Sequence, residues 1–142
     1  MLEWVWLVVA CSFFAVIALI DLRSHRVPNK LVYPAMGVAL LVHAVPPGRE
    51  TLNTLLGGVI GLAPFLLVAL LRPGGMGGGD VKLAALTGLT AGFPQAAWAI
   101  SIAILLGGVT AMALLVTRRG RLDTGIPYAP FLCLGAILAL LL

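Results

Sequence analysis

Residues 83–117 read LAALTGLTAGFPQAAWAISIAILLGGVTAMALLVT, 35 residues without a single charge. A helix crosses the hydrocarbon core in about 20 residues, within a range of about 17–25, so one span cannot use them all. Gly92-Phe93-Pro94 lies inside the stretch, and glycine beside proline is the strongest local breaker of regular structure. Splitting there leaves a short apolar segment and a second one over 95–117. The remaining apolar runs, 4–20, 31–45, 52–71 and 126–142, bring the count to six predicted transmembrane helices.

Charge placement tests the split independently. With six spans, the first, third and fifth connections share one side of the membrane. They carry Arg23, Arg26 and Lys30, then Arg72 and Lys82, then Arg118, Arg119 and Arg121, which leaves only Arg49 of the nine basic residues opposite. Basic loops stay in the cytoplasm, so both termini are predicted to face outward. Without the break, the cluster at 118–121 would fall on the wrong side.

Composition agrees. The 142 residues are 61% hydrophobic before 17 glycines are counted, and mean hydropathy is +1.13. Only 10% are charged, against about 25% in soluble domains. A soluble domain is excluded, and so is a disordered chain, which would be poor in apolar residues. The expectation is an all-α membrane protein with one polytopic domain over 1–142. The net charge of +4 reads as a topology signal and as contact with anionic membrane lipids rather than nucleic acid. Cys11 and Cys133 show no C-x-x-C spacing, so neither a zinc site nor a disulfide framework is expected. The N-terminus lacks the basic region of a secretion signal. Val8-Val9-Ala10-Cys11 reads as a chance match to a lipoprotein box, because the apolar run continues to Ile20. Pro34, Gly57, Gly58, Gly61, Pro64, Gly107 and Gly108 within the spans read as helix-packing positions.

Of five acids, Glu3 and Glu50 belong to the outward side, while Asp21, Asp80 and Asp123 share the cytoplasmic side. Asp21 follows Leu19-Ile20 at the carboxyl end of the first span, where the helix dipole disfavours an anion. Its structural alternative is a pair with Arg23 or Arg26. Asp80 ends Pro73-Gly-Gly-Met-Gly-Gly-Gly-Asp80, and its structural alternative is an N-cap. A cap leaves five glycines in six positions unexplained; such a run fits a backbone conformation closed to other residues, or close approach of another chain. A phosphate-binding loop is ruled out, since neither G-x-x-x-x-G-K-[ST] nor G-x-G-x-x-G is present. Asp123 lies among Arg118, Arg119 and Arg121 and reads as charge compensation. His25 reads as an exposed loop residue. His43 and Trp4, Trp6 and Trp98 read as outer-interface residues.

These stretches resemble a known family. Asp21-Leu-Arg-Ser-His-Arg-Val27-Pro28-Asn29-Lys30-Leu31 is similar to the first aspartate motif of the type IV prepilin peptidases, and Gly77-Gly78-Gly79-Asp80-Val81-Lys82-Leu83 to their G-x-G-D motif. Ile126-Pro127-Tyr128-Ala129-Pro130-Phe131-Leu132 resembles the opening of their last span. The three occur in family order and cover essentially the whole chain. The resemblance implies an aspartic endopeptidase in the inner (plasma) membrane. It would remove the basic leader of prepilin-like precursors, ahead of their hydrophobic helix, at the cytoplasmic face. Asp21 and Asp80 would be the catalytic pair, and Gly77, Gly78, Gly79, Pro28, Asn29, Lys82, Pro127 and Pro130 would meet the substrate. No cofactor or metal is implied. Longer members carry a zinc-binding cysteine insert and also methylate the product. No such cysteines occur between these motifs, which resembles the compact form of tight-adherence (Flp-type) systems or archaeal-like relatives without the methyltransferase part.

Two carboxyls sharing a site do not both ionise readily, so one keeps a proton while the other activates water. Asp80 at a helix start is favoured as the anion and Asp21 at a helix end as the acid. Two rivals stand beside this reading: a non-enzymatic membrane scaffold subunit of a secretion or transport complex, and a presenilin-like G-x-G-D protease with another substrate. The scaffold predicts that both aspartates can become asparagine without consequence.

Overall fold

The computed structural model describes residues 2–44, 48–117 and 128–142. They form six helices: α1 Leu2–Ser24, α2 Asn29–Ala44, α3 Arg49–Leu71, α4 Gly78–Ala91, α5 Gln95–Val116 and α6 Ala129–Leu141. α1, α3 and α5 are each long and apolar enough to cross a membrane. At 1.5 Å per residue, the 23 residues of α1 or α3 reach about 34 Å, against a hydrocarbon core of about 30 Å. α2, α4 and α6 are shorter, at 16, 14 and 13 residues. Large apolar side chains stand exposed along the long helices, among them Leu67, Leu70, Leu105, Val109 and Met112, a surface suited to lipid rather than water.

The break at 92–94 has the expected cause. Gly92 ends α4 at φ +66°, a backbone region that side chains disfavour. The Phe93–Pro94 peptide bond is cis. The Phe93 N–H donates to the Asn53 carbonyl of α3 over 2.9 Å, so the turn between α4 and α5 is tied to a neighbouring helix.

α4 is the central helix, buried at every position from Leu83 to Thr90. A helix enclosed on all sides is apolar all round, and this one also needs small residues to let its neighbours close in. Gly88 faces Gly57, and Ala84 faces Gly61, one turn further along. α3 and α4 are therefore antiparallel with backbones in contact. α5 and α6 are antiparallel too, with Gly135 against Ala99 and Tyr128 against Gly107.

Successive helices thus alternate in direction. Trp6 meets His43 edge-on with centroids 5.5 Å apart, and the Thr51 hydroxyl donates to the His43 carbonyl over 2.8 Å. These contacts place the start of α1, the end of α2 and the start of α3 at one end, with exposed Trp4 and Trp98. Arg23, Arg26, Lys30, Arg72 and Lys82 belong to the other end. Arg118, Arg119, Arg121 and Asp123 lie outside the described residues.

Candidate active site

The two motif aspartates reach the same end of the bundle on different helices. Among the described side chains of α1, Ala10, Phe14, Ile17 and Asp21 are the buried ones, spaced three or four apart and so on one face. That face turns inward, and it carries Asp21 with it: the residue is only 3% exposed. Among the described residues its Oδ2 has no hydrogen-bond partner, while Arg23 and Arg26 are exposed. A buried carboxyl oxygen without a partner is costly. The pairing considered for it with either arginine does not supply one. α1 runs one turn past Asp21 and stops at His25, whose φ is +50° and whose N–H donates to the Asp21 carbonyl over 2.7 Å. The sequence carries no glycine at this left-handed helix end, where one is usual.

Asp80 is not the cap of α4. The chain enters extended at Gly77, which is the N-cap and has no side-chain cap bond. The Asp80 N–H itself donates to the Gly77 carbonyl over 3.1 Å. Asp80 is therefore the third residue of the helix, ahead of the apolar stretch that begins at Leu83. Burial pushes that carboxyl up to about 6; the nearby charge of Asp21 adds to the rise, and a backbone amide hydrogen bond from Ala129 opposes it. The start of α4 favours an anionic Asp80, whereas burial and Asp21 oppose it.

Both aspartates line one cavity of about 460 Å³. The glycine run from Gly74 to Gly79 is one wall, and its members have different reasons to be glycine. Gly74 has φ +80°, and a Cβ at Gly79 would lie 3.0 Å from the Val27 Cβ. Gly78 has nothing within 4 Å of where its Cβ would be, so that backbone lies open to whatever enters. Gly78 and Gly79 also form the first turn of α4, so the run is not loop throughout.

Lys82 donates to Asn29 Oδ1 over 3.3 Å, and its ammonium sits 5.0 Å from the Tyr33 ring centre. The two aspartate motifs, 53 residues apart at this contact, are clasped together across α2 and α4. Pro28 and Pro130 do not line the cavity. The Pro28 carbonyl starts α2 by accepting from Leu31 and Val32, and Pro130 sits in the first turn of α6. Pro127 lies outside the described residues. His25, Arg26, Val27, Met76 and Tyr128 also line the cavity. None was singled out for the site from sequence, because each looks like an ordinary loop or packing residue. Cys11 and Cys133 are free. Among the described residues no group of three metal-ligating side chains comes together.

Two carboxyls lining one cavity beside an open stretch of backbone oppose each other's ionisation. The comparisons identify the family. The family model of the type IV leader peptidase family matches residues 8–112. The chain is 29% identical over 134 residues to a prepilin leader peptidase/N-methyltransferase of Bacillus subtilis, covering 94% of this chain and 54% of that protein. It is 30% identical to the protein of that name in Pseudomonas aeruginosa, covering 87% and 44%, and 28% identical to that of Aeromonas salmonicida, covering 96% and 46%. The chain spans about half the length of the curated relatives it matches. No solved structure matches it. A membrane protein by composition and by its long apolar helices, the chain belongs to the type IV leader peptidase family.

Proposed function

We propose that the chain is a membrane-embedded aspartic endopeptidase that removes the leader from prepilin-like precursors, of the Flp or tight-adherence type, at the cytoplasmic face. The observation that carries this reading is a buried Asp21 carboxyl, whose Oδ2 has no hydrogen-bond partner among the described residues, lining one cavity with Asp80. In the proposed step, the ionised member of the pair takes a proton from water as the water oxygen bonds to the scissile carbonyl carbon. The protonated member hydrogen-bonds to the carbonyl oxygen. The C–N bond then breaks, and the leaving amine takes a proton from the pair. Gly77, Gly78 and Gly79 would meet an extended substrate backbone, with Asn29 and Lys82 at the rim. The proposal covers the peptidase step alone.

Six spans with both termini outside would put this cavity in the cytoplasm, inside the inner membrane. The alternating helix directions and the basic residues at the aspartate end support that orientation. The exposed cations there would also contact anionic lipid.

Co-expression with a panel of prepilin-like precursors tests the activity, with leader loss followed by mass. A mass shift in at least one precursor is expected; none across Flp-type and longer pilin precursors would favour the scaffold. Gly78→Val tests the substrate wall. Because nothing lies within 4 Å of that Cβ, the change should leave the fold intact while misplacing the substrate, lowering cleavage by about tenfold or more. Unchanged cleavage would remove the glycine wall from the mechanism.

A further inference from the structure

Asn29 and Tyr33 stand four residues apart at the start of α2, so their side chains share one face of that helix. Both meet the same group. The Lys82 ammonium of α4 donates to Asn29 Oδ1 over 3.3 Å and lies 5.0 Å from the centre of the Tyr33 ring. The amide oxygen accepts one N–H, and the negative face of the ring attracts the charge. A lysine carries its charge on a flexible four-carbon stem; two contacts from one neighbouring helix fix where this one sits. Tyr33 is 55% exposed, and a tyrosine so placed near the end of a span ordinarily marks the membrane interface. The ammonium over its ring gives it a second use.

Lys82 and Asn29 line the cavity of the two aspartates, whereas Tyr33 is not part of that lining. Of the three basic side chains in the lining, His25 and Arg26 are exposed and Lys82 is half-buried. Lys82 also stands one turn along α4 from Gly78, and so on the same face. Gly78 is the glycine whose backbone lies open to the cavity. An extended peptide laid along that backbone carries a carbonyl oxygen on every residue. The ammonium has three donors, and Asn29 takes one.

We propose that Lys82 donates to a main-chain carbonyl oxygen of the bound peptide, and that Tyr33, together with Asn29, is a positioning residue that holds the ammonium where that carbonyl arrives. The contact reads backbone and not side-chain identity, so it serves every cleaved precursor alike.

The carbonyl contact rests on the peptidase reading; the seat of Lys82 does not. The chain has two lysines, Lys30 and Lys82, so carbon-13 labelling of lysine gives two sets of side-chain signals in detergent, assigned with Lys82→Met. The Lys82 ε-methylene protons should lie upfield of those of Lys30, through the ring current of Tyr33, and should move to the Lys30 position in Tyr33→Leu. Coincident signals in the wild type overturn the seat. In kinetics, Tyr33→Leu should raise KM about three- to fivefold for each precursor that is cleaved, while kcat changes less than about twofold. Tyr33→Phe keeps a ring under the ammonium and should bring back both KM and the Lys82 signals. Lys82→Met keeps the stem, loses the charge and should raise KM about tenfold. Adding Tyr33→Leu to it should cost nothing more, because the tyrosine then has no ammonium to hold. Two losses that multiply in the double variant, or a Tyr33→Leu protein with a lowered thermal midpoint and a wild-type KM, overturn the positioning role: the contacts then only fasten α2 to α4. A wild-type protein that cleaves no precursor overturns the peptidase reading and the carbonyl contact with it, and the lysine signals still decide the seat.

Discussion

Asp21→Asn and Asp80→Asn are each expected to abolish leader cleavage, by a factor on the order of 10³ or more, in protein that still folds. Asparagine keeps the shape of the side chain and removes only its proton chemistry, so whichever carboxyl is replaced, the pair can no longer both take a proton from water and give one to the carbonyl. Stability should move the other way. Asp21 is 3% exposed, with an oxygen that has no partner among the described residues, and a neutral amide in that place avoids burying a charge. The thermal midpoint of Asp21→Asn in detergent should therefore equal or exceed that of wild type. Loss of activity with retained stability separates a catalytic pair from a structural one. There is also a titration consequence. Burial is the main reason the Asp80 carboxyl sits near 6, and the charge of Asp21 is the second; in Asp21→Asn the second disappears, so Asp80 should titrate below 6, with burial still acting on it. Cleavage that survives both substitutions would leave the scaffold reading in place.

Sequence made the helices legible because their signals are local. The apolar runs, the break at Gly92-Phe93-Pro94 and the basic residues of alternate connections each depend on neighbours along the chain, and α1 to α6 lie where they point. Asp21 and Asp80 were legible for another reason: acids are scarce, and two stand at the ends of apolar runs. What sequence hid is what long-range packing decides. The extension of α1 past Asp21, with His25 in a left-handed conformation, has no glycine to announce it. Asp80 resembles a cap until Gly77 is seen to take that place. Tyr128 is one aromatic among several until Gly107 and Phe65 are found beneath and beside it. The glycines of the spans all read alike as packing residues, yet they differ in what surrounds them.

That difference gives the second large effect. Gly88→Val should unfold the protein, or lower its thermal midpoint more than any other substitution of a single span glycine. A Cβ at Gly88 meets the Gly57 carbonyl and the Gly58 Cα, and a Cβ at Gly57 meets the Gly88 carbonyl and the backbone of Gly92. These are main-chain atoms of two helices, and they have no rotamer to change. Overpacking a core with one or two carbons costs about 1–3 kcal/mol when side chains can adjust; here α3 and α4 themselves would have to separate. Against a total stability of about 5–15 kcal/mol, that is a large share, and α4 is the buried centre of the bundle. Gly58→Ala should be milder, since its Cβ meets only the Leu89 side chain, which can turn aside. Gly37→Ala meets nothing within 4 Å and should be neutral or stabilising by up to about 1 kcal/mol, from helix propensity alone. Gly61 links this order to the chemistry. Its Cβ would strike the Ala84 carbonyl, one turn along α4 from Asp80, so Gly61→Ala should displace Asp80 and reduce cleavage as well as stability. Thermal midpoints in detergent that rank Gly88 and Gly58 equally would mean that the two helices are not held backbone to backbone, and the position of Asp80 would then need another support.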